Sequence, residues 1–244
     1  MKQMKNFIKQ KEDENDEDLN CIKGRNLKRQ GTHIYFYDYI DDISQLWLQQ
    51  AMQTAYEEMI INNAKEMMMR GGAPDNIYIH INSPGGSVVS SLAIYDFIKN
   101  FPVVVVGIVE GQAASGASIM LCGCQLREMT QNSTVLVHEL RTWDPSVRKW
   151  SEFKDDFENN KFFMKKLKSI YLKETSIPED TIDNILSHDI LWDVDECIKY
   201  ELCDFVVGNE LTDSDANRLD SRVNKRLGNE ERSKKKSIKK VKKN

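Results

Sequence analysis

The sequence predicts an α/β fold in which repeated β-α-β units build a mainly parallel sheet. Two observations indicate it. Apolar, β-branched runs at residues 77–81 and 103–109 are each followed by a turn of small residues and then by a helical pattern. Such runs are typical of strands buried on both faces, and alternating strands and helices indicate crossover connections between parallel strands. With 244 residues and 40% hydrophobic content, the chain can form one main domain.

The elements follow from periodicity, capping residues and breakers along the chain. Leu48, Met52, Ala55 and Met59 form one apolar stripe on a helix that Ser44 is expected to cap. Asp193, followed three residues later by Glu196, predicts the start of another helix. Strands are predicted at 33–39, 77–81, 103–109, 134–137, 190–192 and 205–207, and helices at 44–70, 88–100, 113–121, 149–175, 178–186 and 194–199.

The two ends of the chain differ in charge from the rest. Six of the seven residues at 12–18 are acidic, and residues 218–244 carry twelve Lys or Arg against three acidic residues. We expect a polar, mobile N-terminal segment at 1–31, a domain at 32–210 and a basic, disordered tail at 211–244. Contact of this tail with an anionic partner such as nucleic acid is the alternative.

Several classes of protein are disfavoured by composition. The five cysteines form no C-x-x-C pair, which argues against a disulfide framework or a zinc site. No apolar stretch approaches the 18 residues of a membrane span, and residues 1–10 lack the apolar core of a signal peptide. We therefore expect a cytoplasmic protein with no membrane partner, no metal and no cofactor.

Two turns between a strand and a helix are candidates for chemistry. The glycine turn (residues 84–86, Pro-Gly-Gly) allows close backbone approach to a ligand, although it also fits an ordinary connection. The serine turn (residues 111–118, GQAASGAS) places Ser115 between small neighbours at the start of a helix. A serine there is either a simple helix cap or a nucleophile that gains from the amide donors of the helix N-terminus.

A serine nucleophile needs a base, and the chain has four histidines. His138 ends a predicted strand, where catalytic side chains of open parallel sheets lie, and is the first candidate. His188, in a loop before Asp189, is the second. His33 is expected to be exposed, and His80, inside a strand, is expected to be a structural residue with its ring nitrogens satisfied.

Four segments in this order resemble the proteolytic subunit of the Clp protease, a serine peptidase of the crotonase-like fold, over roughly residues 34–207. INSPGGSV with AIYDFI resembles its first glycine turn and helix, and GQAASGAS its nucleophile turn. NSTVLVH resembles the segment that carries its histidine, and HDILWDVDECIKYELCD its C-terminal segment. The resemblance implies Ser115 as nucleophile, His138 as base, Asp189 as the orienting acid, and the N–H groups of Gly86 and Gly116 as the oxyanion hole.

The resemblance also implies an architecture and partners. The family cleaves unfolded polypeptides or peptides inside a chamber of one or two seven-membered rings, fed by an ATP-dependent unfoldase. A protruding handle helix joins the rings, and residues 141–175 are placed to form it. A divergent member of this kind could also belong to a plastid or a virus. No metal or cofactor is implied.

The chain departs from the family at three places. Residues 139–146 lack the glycine-rich strand that binds substrate, and His188 replaces an arginine used in contacts between rings. Glu201 replaces a glycine, which costs about 1–2 kcal/mol if the backbone there is left-handed. Alternatives are an inactive structural ring subunit, a viral head-maturation or signal peptide peptidase A type protease of the same fold, and an acyl-CoA hydratase or isomerase of the crotonase class.

Overall fold

A computed structural model describes residues 24–67, 76–142, 147, 149–209, 221–224 and 226. Most of both predicted tails lies outside this part of the chain. So do residues 143–146, which belong to the segment that lacks the family's glycine-rich strand. The strands are β1 Leu27–Gln30, β2 His33–Phe36, β3 Ile77–Ser83, β4 Val105–Ala114, β5 Leu126–Met129, β6 Thr134–Leu136, β7 Leu191–Trp192 and β8 Phe205–Val206. The helices are α1 Asp42–Met67, α2 Val88–Lys99, α3 Gly116–Gly123, α4 Trp150–Glu174, α5 Ile182–Leu186 and α6 Val194–Lys199.

The strands form one eight-stranded sheet in the order β1-β2-β3-β4-β5-β8. The pairs β2–β3, β3–β4, β4–β5 and β5–β8 are all parallel, and only β1 joins this series antiparallel to its neighbour. β4 is long enough to pair twice, first with β5 and then, through Gln112–Ala114, with β6. β7 pairs antiparallel with β6. The predicted α/β fold with a mainly parallel sheet is confirmed.

The apolar runs of the central strands form the core, as their composition predicts. Ile77, Ile79 and Ile81 of β3 are completely buried, and Val105, Val106 and Val109 of β4 are as well. α1 and α3 pack on this sheet and α2 packs on both of these helices, and the predicted α1 stripe of Leu48, Met52, Ala55 and Met59 is buried. Close packing of these layers holds the strand ends, where the candidate site lies, in fixed positions.

Two strands escaped prediction because charged residues interrupt them. β1 (LKRQ) buries Leu27 and Arg29, and the Arg29 guanidinium is neutralised by Glu58 at 2.8 and 2.9 Å. β5 (LREM) buries Arg127 completely, with its guanidinium bound to the carbonyl oxygens of Cys122 and Glu174. β1 therefore belongs to the sheet although it precedes residue 32, the boundary that polarity suggested.

Part of the predicted basic tail also packs on the domain. Residues 221–224 and Arg226 are helical, and Arg226 is buried. Its guanidinium binds both carboxylate oxygens of buried Asp204, at 2.6 and 3.1 Å, and the Gln125 carbonyl at 2.9 Å. These residues are held by the domain because one buried carboxylate supplies a partner for a basic side chain, and disorder elsewhere in 211–244 stays a prediction.

Helix ends follow the capping rules with one correction. α1 begins two residues before Ser44, and the Asp41 carboxylate accepts the Ser44 N–H at 2.8 Å, so Asp41 is the cap. The Asp193 carboxylate accepts the Glu196 N–H at 3.0 Å at the start of α6, as predicted. α4 covers the predicted long helix almost residue for residue. Within the described residues, no helix has the length and apolar content to span a membrane.

Candidate active site

The glycine turn lies at the carboxyl end of β3 and is locked between two other segments. Gly85 and Gly86 have φ angles of 88° and 156°, which L-residues rarely adopt. A Cβ on Gly85 would lie 2.5 Å from the Ala114 carbonyl oxygen, and one on Gly86 would overlap the Ile40 carbonyl. A short β-bridge joins this turn to Ile40: the Ile40 N–H donates to the Gly85 carbonyl, and the Ser87 N–H donates to the Ile40 carbonyl. The Gly86 N–H takes part in neither bond.

Ser115 lies where β4 turns into α3, in a strained backbone conformation. Its φ of 55° and ψ of −122° lie outside the regions that L-residues favour, and such strain is common at functional sites. Its N–H donates to the Leu136 carbonyl of β6 at 2.9 Å. Its hydroxyl does not cap α3, and the side chain is half-buried. The hydroxyl is therefore presented to the surroundings rather than used to end the helix.

The backbone amides of Gly86 and Gly116 are neighbours beside Ser115. A Cβ placed on Gly116 would lie 3.5 Å from the Gly86 nitrogen and would collide with the Ser91 hydroxyl, so a side chain there would require Ser91 to move. Gly116 is the first residue of α3, and the first amides of a helix have no partner within the helix. Both glycines line a cavity of about 260 Å³, as does Ser115.

His138 lies two residues beyond β6 and lines the same cavity as Ser115. It is 9% exposed. Burial lowers the pKa of its imidazole below the ordinary value, and Arg141 lowers it further, while Asp189 and Glu139 oppose the shift. The imidazole is therefore neutral at neutral pH, which is the protonation state that a general base needs.

Asp189 lies beyond α5, with one carboxylate oxygen 3.4 Å from His138 Nδ1. This distance is within ion-pair range but too long for a good hydrogen bond, and the buried Nδ1 has no hydrogen-bond partner in the described structure. The other carboxylate oxygen binds Arg141 Nη2. The three residues inferred from the resemblance thus lie together, with the acid shared between the imidazole and a guanidinium.

The remaining histidines lie away from Ser115. His80 is buried, with Nδ1 2.7 Å from Glu110 and Nε2 2.9 Å from His33 Nδ1, as expected of a structural histidine. His33 is half-buried rather than exposed as predicted, because it stacks on Tyr78 with ring centroids 4.6 Å apart. His188 is exposed. None of these three lines the cavity.

The sequence did not indicate a functional role for three further residues of the site, Arg141, Ser118 and Tyr171. Arg141 was noted only as part of a segment without glycine. Ser118 belongs to the serine turn, but no pattern distinguishes its hydroxyl, and Tyr171 is one apolar position among many on α4. Only tertiary contacts bring them to the cavity or its wall. Across the described residues, no group of three His, Cys, Asp or Glu could hold a metal ion.

A comparison with protein families identifies the family of the chain. The family model described as Clp protease matches residues 29–210, which is most of the chain and includes both turns, the histidine and the aspartate. The match begins within β1 and ends after β8, so it covers the sheet except for the first two residues of β1. The resemblance stated from the four motifs is confirmed, and this chain belongs to the Clp protease family, a family of peptidases.

Proposed function

We propose that the chain is a serine endopeptidase with Ser115 as nucleophile, His138 as base and Asp189 as the orienting acid. One observation carries the proposal. Ser115, His138, Gly86 and Gly116 line one cavity, and the only carboxylate facing His138 Nδ1 within ion-pair range among the described residues belongs to Asp189. A hydroxyl, a neutral imidazole and two free amides are the parts that acyl transfer requires.

The chemistry follows from these parts. The neutral imidazole takes the Ser115 proton through Nε2 while Oγ attacks the peptide carbonyl carbon. The N–H groups of Gly86 and Gly116 donate to the oxyanion that develops, and losing one such donor typically costs about 10²–10³ in kcat. The imidazolium then protonates the leaving amine, and an acyl-enzyme remains. Water, deprotonated by the same imidazole, releases the acid and regenerates Ser115. No step requires a metal or cofactor.

Asp189 contributes by orienting the imidazole. When its carboxylate accepts a hydrogen bond from Nδ1–H, Nε2 is the unprotonated nitrogen that faces Ser115. The separation of 3.4 Å is longer than such a bond, and catalytic hydrogen bonds of free enzymes often shorten only when substrate binds. We therefore include in the proposal a small closing movement of the loop that carries Asp189, whose side chain is 50% exposed.

The substrate and assembly are proposed from the family. Unfolded polypeptides or peptides are the substrates, and a heptameric ring or double ring, served by an ATP-dependent unfoldase, is the assembly. α4 supports the assembly, because Phe153, Phe157 and Phe162 are each 57% exposed on this helix and Trp150 is exposed at its start. Four large apolar side chains on one exposed helix favour burial against another subunit.

Labelling with a fluorophosphonate probe tests the chemistry directly. We expect labelling at Ser115 and cleavage of a fluorogenic peptide, with both lost in Ser115→Ala. The matched control is Ser176→Ala, which removes an exposed serine hydroxyl bound to the Lys199 carbonyl, away from the cavity. Native mass spectrometry of each variant measures the assembly independently. Cleavage retained in pure Ser115→Ala protein contradicts the assignment.

One observation favours a second candidate, a ring subunit that assembles without cutting. Asp189 is held by Arg141, and the Nδ1 of His138 lacks a hydrogen bond. If this arrangement persists in the assembled particle, the imidazole is not oriented and the hydroxyl is not activated. The same labelling experiment decides between the two, since an assembled but unlabelled wild-type particle supports the structural role. A head-maturation protease would share the chemistry and differ in its substrate.

A further inference from the structure

A chain of two hydrogen bonds connects α4 to the backbone of Ser115. The Tyr171 hydroxyl of α4 lies 2.6 Å from Ser118 Oγ, and Ser118 Oγ lies 2.6 Å from the Ser115 carbonyl oxygen. A serine hydroxyl has one proton, and Ser118 gives it to the carbonyl, which can only accept. The bond between the two hydroxyls therefore requires Tyr171 as the donor, so the chain runs from Tyr171 through Ser118 to Ser115.

Both hydroxyl groups of this hydrogen-bonded chain, those of Tyr171 and Ser118, are shielded from water. Tyr171 is 1% exposed and Ser118 is completely buried. Burial raises the pKa of Tyr171 above its ordinary value, so the phenol keeps its proton and remains a donor at neutral pH. Bulk water therefore does not compete with these two hydroxyls for their hydrogen bonds.

The chain ends on the peptide group that supplies one oxyanion donor. The Ser115 carbonyl and the Gly116 N–H belong to the same planar peptide unit, so fixing the oxygen also fixes the direction of the N–H. The Ser118 N–H, at 3.0 Å, adds a second bond to this carbonyl. Because Ser115 has a φ of 55°, its own backbone preference does not hold this peptide plane, and the hydrogen bonds must do so.

We infer that Tyr171 and Ser118 are positioning residues for the Gly116 N–H in the oxyanion hole. The inference rests on the proposed serine peptidase function. Two donors to the carbonyl also polarise the amide, which strengthens its N–H as a donor to developing negative charge. Neither hydroxyl touches substrate in this role; each acts through the peptide group.

Tyr171 also lines the cavity, so its ring and its hydroxyl must be tested separately. Tyr171→Phe keeps the ring and removes only the donor to Ser118. We expect kcat for a fluorogenic peptide to fall about three- to tenfold, as for loss of one hydrogen bond that acts on the transition state, with KM changed less than about twofold. The acid limb of the pH profile should stay in place, because it reports His138.

Ser118→Ala should produce a similar fall, because it breaks the same chain one link closer to Ser115. Adding Tyr171→Phe to Ser118→Ala should cost little more, since residues that act as one unit are not additive. The affinity of a peptide boronate, whose tetrahedral adduct places an oxygen in the oxyanion hole, should fall in parallel with kcat in each variant.

Tyr95→Phe is the matched control. Tyr95 is a buried tyrosine of α2 whose hydroxyl donates to Glu174 at 2.8 Å and which does not line the cavity. Its loss should lower stability without lowering kcat. The inference would be overturned if kcat fell equally in both tyrosine variants. It would also be overturned if an active, labelled Tyr171→Phe protein had the kcat of the wild type. Neither result would affect the proposed function. A wild-type protein without turnover or fluorophosphonate labelling would refute the proposed function, and this inference with it.

Discussion

Arg141 determines how much of the Asp189 carboxylate is available to His138, and Arg141→Gln tests this. The guanidinium binds one carboxylate oxygen, while the other lies 3.4 Å from His138 Nδ1, which has no hydrogen-bond partner in the described structure. The guanidinium and the imidazole therefore compete for one acid. Glutamine keeps a polar side chain of similar length and removes the charge.

The exposure of the pair limits the size of the effect. The Arg141 side chain is 69% exposed and that of Asp189 is 50% exposed, and such pairs contribute about 0.2–1 kcal/mol. If all of this free energy strengthens the contact between Asp189 and His138 in the transition state, kcat/KM rises by at most about fivefold. We expect a rise of about 1.4- to fivefold in Arg141→Gln.

The pH dependence has a definite sign. Burial is the main reason that the pKa of His138 is lowered, and the Arg141 charge lowers it further while Asp189 raises it. Removing Arg141 therefore raises this pKa. Because the base must be neutral to act, the acid limb of the kcat/KM profile moves to higher pH in the variant.

Hydrolysis of a fluorogenic peptide between about pH 5 and 9 measures both effects on assembled protein. Lys168→Gln is the control for loss of one positive charge, because Lys168 pairs with Asp183 outside the cavity. A lower kcat/KM in Arg141→Gln, together with an acid limb that is unchanged or moved to lower pH, would refute the competition between guanidinium and imidazole.

Two further predictions concern the C-terminal part of the domain. Arg226→Met leaves the completely buried Asp204 carboxylate without its bidentate partner at 2.6 and 3.1 Å. We expect the free energy of unfolding to fall by about 3 kcal/mol and the Tm to fall by about 6–12 °C. A Tm equal to that of the wild type by calorimetry would contradict the burial of this pair. Glu201 has a φ of 59°, the left-handed conformation anticipated from the missing glycine, so Glu201→Gly should raise the free energy of unfolding in urea by about 0.5–1 kcal/mol despite losing a contact with Arg222. A fall in that free energy would show that the contact outweighs the strain.

The sequence located the parts of the candidate site that end strands. Ser115, His138 and the glycine turn each follow an apolar run, and parallel strands bring their carboxyl ends to one edge of a sheet. Asp189 follows a short helix in an exposed loop, where no periodicity marks it, so only the family resemblance pointed to it. Its sharing with Arg141 depends on side chains 48 residues apart and could not be predicted from spacing.

The elements that were missed contain buried charge. Arg29, Arg127 and Arg226 are all buried, and each is paired with carboxylate or carbonyl oxygens supplied by distant parts of the chain. A hydropathy pattern assigns such residues to the surface, because a guanidinium can be buried only where the fold supplies hydrogen-bond acceptors for it. Tertiary pairing therefore overrode local polarity in β1, in β5 and in the C-terminal helical segment.

The long helix connects two of the proposals. Its N-terminal half exposes the aromatic side chains that favour contact with another subunit, and Tyr171, near its C-terminal end, holds the peptide unit that presents the Gly116 N–H. Just beyond Tyr171, Glu174 is buried between Lys99 and Arg127, which fixes this end of the helix to the domain. Contacts made on the exposed half can reach the oxyanion donor through this fixed end, by moving Tyr171 relative to Ser118. Loss of the Tyr171 hydroxyl should therefore also reduce any dependence of kcat on assembly.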